Sequence, residues 1–257
     1  MDRLPHPIEK LAFVSSETGE AEDARSELEA RYGAPSGDYQ SFHTWSVENR
    51  EPFWSLVWDD CGVVGDKGDR VLVDGDRMPG ARFFPDARLN FAENLLAKAG
   101  EGDAMVFRGE DKHEKRVSWA ELHAMVSRLQ QHFRALGIGK GDWIAAMMPN
   151  MPETVAAMLA ATSIGAVWSS CSPDFGPKGV LDRFSQIEPV IFIACDGYWY
   201  NGKKQDISGK LAEILPGLPT VKNAIIVDYL GNAEAVAADL DNAEPLAAVL
   251  GSYEKKP

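Results

Sequence analysis

The sequence predicts an α/β fold in which a mostly parallel sheet is flanked by helices and preceded by a helical N-terminal extension. From residue 103 to residue 228, short apolar runs of strand length alternate with longer amphipathic segments. Strands that alternate with helices in this way usually pair in parallel. Glycine or proline follows most of the predicted helices, where either residue stops a helix.

Residues 1–38, which precede the N-terminal extension, are predicted to form a flexible acidic arm. This arm is poor in bulky apolar side chains and rich in Ser, Glu, Gly and Ala. A short helix is predicted over residues 20–32, because Gly33 and Pro35 follow it.

Residues 39–64 are crowded with aromatic side chains. The spacing from Phe53 to Val57 and from Trp54 to Trp58 predicts a helical stripe, with Pro52 in its first turn. Aromatic rings mainly supply buried area, so core packing is predicted here rather than a ligand cage. Further on, the predicted elements are a strand over residues 71–76, a loop or short strand over 82–85, and a helix over 90–99 closed by Gly100.

The alternating part begins with a predicted hairpin of residues 104–107 and 115–117. Ser118 followed by Glu121 is a capping box, and the helix it opens carries an apolar face and ends at Gly137. The predicted strands that follow are residues 143–148, 166–170, 190–195 and 221–227. The predicted helices between them are residues 152–164, 178–187 and 207–215. The alternation is predicted to end at Asp228, where the chain becomes alanine-rich and acidic.

Composition restricts the partners. The formal charge is −13 at pH 7 with a pI near 4.8, which argues against nucleic acid because binding to phosphate backbones needs clustered Lys and Arg. Three cysteines offer no disulfide framework, and no segment has the pattern of a signal peptide or a membrane span. A cytoplasmic location without membrane contact is therefore predicted. No zinc-binding motif is present, so no metal site is expected.

Ligands in parallel sheets bind beyond the carboxyl ends of strands, and three such ends are predicted, at residues 149–150, 170–175 and 196–204. Residues 197–204 match G-x-x-x-x-G-K, in a strand–loop–helix context that suits a Walker loop. Lys204 replaces the Ser or Thr that should bind magnesium, and bulky aromatic residues stand where phosphates must approach. A loop that binds a nucleoside triphosphate is therefore disfavoured. A loop for another phosphate and a solvated basic turn both remain open.

Nucleophilic catalysis is not indicated. Cys171 follows a predicted strand, but no histidine is near it in sequence, so it is interpreted as a packing residue. His123 and His132 are predicted to lie on the outer part of one helix.

Several segments resemble the adenylate-forming acyl-CoA synthetases. FRALGIGKGDWIA at residues 133–145 and MPNMPE at 148–153 resemble the opening of their large domain. WDDCGV at 58–63, DRMPGARFFP at 76–85 and RLNFAENLL at 88–96 are more similar to the acetoacetyl-CoA synthetase group than to acetyl-CoA or propionyl-CoA synthetases. The resemblance covers about residues 39 to 228.

The resemblance implies an N-terminal extension over residues 39–100 and the first α/β subdomain of the large AMP-binding domain over 101–257. It implies that ATP with magnesium, acetoacetate and CoA are substrates of the whole enzyme, with none of them bound tightly to this chain. It also implies that CoA is bound by two segments. One is the loop of Tyr200, Asn201, Gly202, Lys203 and Lys204; the other is the turn of Ser172, Pro173 and Asp174.

In this family the ATP phosphate loop and the catalytic lysine follow later in the sequence than residue 257. The chain is therefore expected to be an N-terminal fragment that does not turn over alone, contributes no catalytic residue and self-associates through an uncovered surface. The alternatives are a non-catalytic CoA-binding or assembly module and a degenerate Walker NTPase.

Overall fold

A computed structural model of the chain describes residues 29–35 and 38–256. Residues 29–32 are helical, in agreement with the end of the predicted helix, while the rest of the predicted arm lies outside the described residues except for residues 33–35 and Asp38. The chain forms two compact units, one up to Leu89 and one from Asn90 onward. No helix within the described ranges is long and apolar enough to cross a membrane.

From residue 38 onward, the first unit combines two helices with two short antiparallel ribbons. The helices are α1 (Tyr39–Glu48) and α2 (Arg50–Asp60). The ribbons pair β1 (Gly65–Asp66) with β4 (Arg88–Leu89) and β2 (Leu72–Val73) with β3 (Arg82–Phe83). The predicted aromatic packing is confirmed for Trp58, which is buried with its ring 4.9 Å from that of Phe84, whereas Tyr39 and Trp54 are exposed.

The second unit contains a five-stranded sheet in the order β13-β12-β9-β7-β8, and every neighbouring pair in it is parallel. The predicted fold class is thus confirmed. The strands are β7 (Trp143–Met147), β8 (Val167–Cys171), β9 (Ile191–Cys195), β12 (Asn223–Val227) and β13 (Ala243–Pro245). Ahead of the sheet, β5 (Asp103–Gly109) and β6 (His113–Ser118) form the predicted hairpin.

Helices cover the sheet in two groups. The first group packs together as α3 (Phe91–Leu95), α4 (Trp119–Ala135), α5 (Pro152–Ser163) and α9 (Leu246–Gly251). The second group comprises α6 (Pro177–Phe184), α7 (Ser208–Ile214) and α8 (Ala233–Ala238). The connection from β7 to β8 runs in the opposite direction to that from β8 to β9. Right-handed crossovers therefore place α5 and α6 on opposite faces.

Three sequence predictions about elements were wrong. The alternation continues beyond Asp228, because α8 and the three-residue strand β13 extend the sheet. Helix α3 ends at Leu95 rather than at residue 99, since the carbonyls of Lys98, Gly100 and Gly102 accept hydrogen bonds from residues in the first turns of α4. Helix α6 ends at Phe184 instead of residue 187.

The strand order contains a switch point between β7 and β9. The chain leaves β7 toward β8 on one side, whereas it leaves β9 toward β12 on the other. Ligands of parallel α/β sheets bind outside the carboxyl ends of the strands at such a point. The segments after β7, β8 and β9 therefore frame the candidate site.

Candidate functional site

A second hairpin stands directly after β9. Its strands are β10 (Gly197–Tyr200) and β11 (Lys203–Asp206), which pair antiparallel. Asn201 and Gly202 connect them, both with positive φ, at 51° and 70°. Asn-Gly favours this two-residue turn because both residues tolerate the left-handed conformation. The predicted strand–loop–helix context of a Walker loop is therefore wrong, and the Asn-Gly pair was the overlooked signal.

The hairpin presents two lysines near its turn. Lys203 pairs with Tyr200 across the ladder and Lys204 pairs with Trp199, whose ring centroid lies 5.6 Å from the Lys204 Nζ atom. Both lysines are exposed, and neither forms a salt bridge with another described residue. Their positive charge is thus available to an anion.

The turn after β8 touches this hairpin. The Tyr198 hydroxyl donates to Asp174 Oδ1 at 2.5 Å, and the Ser172 hydroxyl donates to Asp174 Oδ2 at 2.8 Å. These two hydrogen bonds lower the pKa of Asp174, because they stabilise the carboxylate. Burial and the same carboxylate raise the pKa of Tyr198. The structure therefore brings together the two segments that the sequence singled out separately.

Lys210 supports the same turn and was missed from the sequence. It lies on α7, and its Nζ atom donates to the Pro173 carbonyl at 3.0 Å. Pro173 itself is buried. The conformation of Ser172–Asp174 is thus held from two sides, by the hairpin and by α7.

Glu110, at the tip of the β5–β6 hairpin, was also missed. Its two carboxylate oxygens accept hydrogen bonds from the backbone N–H groups of Asn201 at 2.6 Å and Gly202 at 2.8 Å. In a Walker loop these two backbone N–H groups would donate to phosphate. Here they donate to the Glu110 carboxylate.

Asp196 connects the carboxyl ends of β9 and β12. This side chain is buried, and it accepts hydrogen bonds from the backbone N–H groups of Tyr229, Leu230 and Asn232 at 2.7 to 3.1 Å. Hydrogen bonds of this kind offset the cost of burying its charge. The segment after β12 is fixed next to the start of β10 as a result.

The buried thiols and the imidazoles do not form a nucleophilic pair within the described part of the chain. Burial raises the pKa of Cys171 to about 11 and that of Cys195 to about 12, which suppresses the reactive thiolate. The prediction that His132 faces outward was wrong. It is buried, and its Nε2 atom lies 3.2 Å from Asn223 Oδ1, because the start of β12 covers this side of α4.

Taken together, the arrangement is suited to holding an anion with an aromatic group beside it. Two exposed lysines and the exposed ring of Tyr200 stand on a hairpin whose base is tied to the sheet. Ammonium groups bind phosphate as point charges, and aromatic rings can stack on a nucleobase. No cluster of three or more metal-binding side chains occurs in the ranges that the structure covers.

Two family models match the chain. The model described as AMP-binding enzyme matches residues 93–253, and the model described as acetyl-coenzyme A synthetase N-terminus matches residues 39–95. The first match alone covers more than half of the chain.

Individual proteins show the same similarity. The chain is 57% identical over 229 residues to acetoacetyl-coenzyme A synthetase of Rhizobium meliloti (strain 1021), covering 88% of this chain and 35% of that protein. It is 36% identical over 205 residues to a malonamoyl-CoA synthetase of Penicillium aethiopicum, covering 77% and 28%. A solved acetoacetyl-CoA synthetase from Streptomyces lividans superimposes with a TM-score of 0.80 at 37% identity, covering 91% of this chain and 36% of that structure. The chain thus spans about a third of the length of these relatives.

Proposed function

Because the chain belongs to the AMP-binding enzyme family, we propose that it supplies the N-terminal part of an acid–thiol ligase that acts on acetoacetate. In the proposed reaction, acetoacetate attacks ATP to give an acyl-adenylate and pyrophosphate, and CoA then displaces AMP to form the thioester. Acetoacetate is supported by the 57% identity to the acetoacetyl-coenzyme A synthetase of Rhizobium meliloti.

We propose that the contribution of this chain is part of the CoA site. The observation that carries the proposal is the Tyr198–Asp174 hydrogen bond of 2.5 Å, which joins the lysine hairpin to the Ser172–Asp174 turn at the carboxyl edge of the sheet. In this scheme Lys203 and Lys204 bind CoA phosphates, and Tyr200 lies beside the nucleotide. The resemblance to the acetyl-CoA synthetase group implies a basic residue at the position of Tyr200, and in this scheme Lys204 supplies the second positive charge.

The residues of this chain bind and orient CoA; they do not carry out the chemical step. In the complete active site, ATP would supply the two leaving groups, pyrophosphate and AMP. Bound magnesium would balance the negative charge of the phosphates. We propose that the 257-residue chain alone does not form acetoacetyl-CoA. The proposed contribution of the chain is a lysine hairpin for one of the substrates, CoA.

Calorimetric titration with CoA tests this proposal. The Lys203→Ala/Lys204→Ala variant should weaken CoA binding by about tenfold or more, since each lost ammonium–phosphate contact is worth roughly 1 kcal/mol. The matched control is Lys140→Ala/Lys222→Ala, which removes the same charge at the opposite edge of the sheet, before β7 and β12. Pantetheine, which lacks the phosphates, should bind no parent or variant chain measurably. Equal CoA affinity of both double variants would contradict the proposal.

A second candidate function, a non-catalytic binding or assembly module, is favoured by one observation. Phe91 and Leu95 are both about half exposed on the same side of α3, and exposed apolar groups of this kind often form interfaces. We infer that the chain self-associates, and light scattering over a concentration series measures it; a constant monomer mass would contradict this inference. A cytoplasmic location is proposed on the basis of the three free thiols, since reducing compartments keep thiols unpaired.

A further inference from the structure

The tips of two hairpins are joined through one carboxylate. Glu110 stands at the turn between β5 and β6 with a φ of 55°. One of its oxygens accepts the N–H of Asn201 and the other accepts the N–H of Gly202. Hydrogen bonds to an ionised acceptor are stronger than neutral ones, and within the described residues Glu110 has no cationic partner that would compete for it.

The position of Glu110 is itself fixed by the core. Its neighbour Gly109 is buried so closely against Tyr229 that a Cβ atom there would lie 1.9 Å from the tyrosine hydroxyl. The Tyr229 ring also packs against Phe107 and His113, and its backbone N–H is held by the buried Asp196. The carboxylate is therefore anchored to the ends of β9 and β12, the same strands that frame the candidate site.

We propose that Glu110 is a positioning residue for CoA, an inference that rests on the proposed function. Its carboxylate holds the Asn201-Gly202 turn, so that Lys203, the next residue, starts from a fixed backbone. It also occupies both turn amides, which leaves phosphate recognition to the lysine side chains. Glu110 touches the hairpin and does not touch the reacting atoms.

This role opposes a simple electrostatic expectation. A negative charge near a phosphate site should weaken anion binding, and its removal should strengthen binding. The proposal predicts the reverse, because the loss of the hairpin's fixed geometry outweighs the loss of repulsion from a carboxylate whose charge is directed at two N–H groups.

The first measurement follows amide hydrogen exchange in the full chain without ligand. In Glu110→Ala, exchange of the Asn201 and Gly202 amides should accelerate by about tenfold, as expected for the loss of charge-assisted hydrogen bonds. In Glu110→Gln, the exchange rates should lie between those of the parent and of Glu110→Ala, because the glutamine amide oxygen can still accept a hydrogen bond from one N–H. The matched control is Asp111→Ala. It removes an exposed carboxylate from the same turn, and that carboxylate forms an ion pair with Lys112. Unchanged exchange in Glu110→Ala would show that the tie does not exist.

The second measurement is CoA affinity in the same variants and in a double-mutant cycle. Glu110→Ala should weaken CoA binding by about fivefold to tenfold, and Lys203→Ala should cost less in the Glu110→Ala background than in the parent. Unchanged or tighter binding by Glu110→Ala, or strictly additive losses, would overturn the positioning role while leaving the proposed function intact. A parent chain that fails to bind CoA would overturn the proposed function and this role together, whereas the exchange result would still establish the tie.

Discussion

Asp174 links the two halves of the candidate site, and its titration should be visible in stability. Hydrogen bonds from Tyr198 and Ser172 lower the pKa of its carboxyl group below the ordinary 3.8. The stabilisation is therefore complete above that ordinary value and is lost as the pH falls through the lowered pKa. Tyr198→Phe should reduce the free energy of unfolding at neutral pH by at most about 1 kcal/mol, because the carboxylate is exposed.

Urea denaturation of parent and variant at neutral pH and at about pH 3 tests this dependence. The difference between parent and Tyr198→Phe should shrink at the lower pH. Tyr200→Phe is the matched control, since the Tyr200 side chain is 63% exposed and the change removes a hydroxyl from the same strand. A loss that is equal at both pH values would show that Tyr198 contributes by packing and not through the Asp174 carboxylate.

The three thiols should differ sharply in reactivity. Cys61 is exposed, although partial burial and the charge of Asp60 raise its pKa, whereas Cys171 and Cys195 are buried with pKa values raised to about 11 and about 12. Only the thiolate reacts with an alkylating agent. Iodoacetamide at neutral pH should modify Cys61 alone in the folded protein, and all three cysteines in urea, as measured by mass spectrometry. Rapid modification of Cys171 in the folded state would revive its interpretation as a nucleophile.

The residues of the site differ in how far the sequence reveals them. Lys203 and Lys204 are evident from their motif and from the aromatic run before them. Glu110 is not evident from the sequence, because its partner Asn201 lies 91 residues further along the chain. Nothing in the turn that contains Glu110 indicates this partner. His132 misleads for a similar reason: the helical pattern of α4 shows one apolar face, and the cover of its second face comes from β12.

At the scale of elements, Gly109 tests how tightly the β5–β6 hairpin is packed on the sheet. Its Cβ position would meet Tyr229 Oη at 1.9 Å and Cζ at 3.0 Å, so Gly109→Ala must displace a buried ring. Overpacking of this kind costs about 2 kcal/mol. Gly102→Ala is the control, because no atom lies within 4 Å of its Cβ position. Denaturant unfolding measures both, and an equal stability of the two variants would mean that the ring moves aside freely.

Elements whose ends are encoded locally are well predicted. Ser118 and Glu121 form the complete capping box that their spacing predicts, and Gly137 and Gly165 follow their helices with positive φ. Elements whose ends depend on distant partners are poorly predicted. Helix α3 stops early because α4 uses the carbonyls that follow it, and the hairpin after β9 was hidden by a motif that is usually interpreted as a loop.

At the scale of the whole molecule, the parallel sheet follows from the alternation of apolar runs and helices, but the strand order does not. The placement of β9 beside β7 rather than β8 depends on which face each crossover helix covers, and no short segment encodes that choice. The order nevertheless shapes the candidate site, because it creates the switch point at the carboxyl ends of the strands, where Ser172–Asp174 meets Tyr198.

Ligand-linked stability distinguishes the proposed CoA site from a Walker NTPase. In a Walker loop the backbone amides must be free for phosphate, whereas here Asn201 and Gly202 donate theirs to Glu110 in a tight hairpin turn. CoA should therefore raise the melting temperature of the chain, by an amount equivalent to about 2.7 kcal/mol at a hundredfold excess over its dissociation constant.

ATP with magnesium at the same concentration should leave the melting temperature unchanged, because the lysines would meet a phosphate chain already screened by the metal. Lys203→Ala/Lys204→Ala should abolish most of the CoA shift. A shift with ATP and magnesium equal to that with CoA would contradict the proposed CoA site and favour the Walker interpretation.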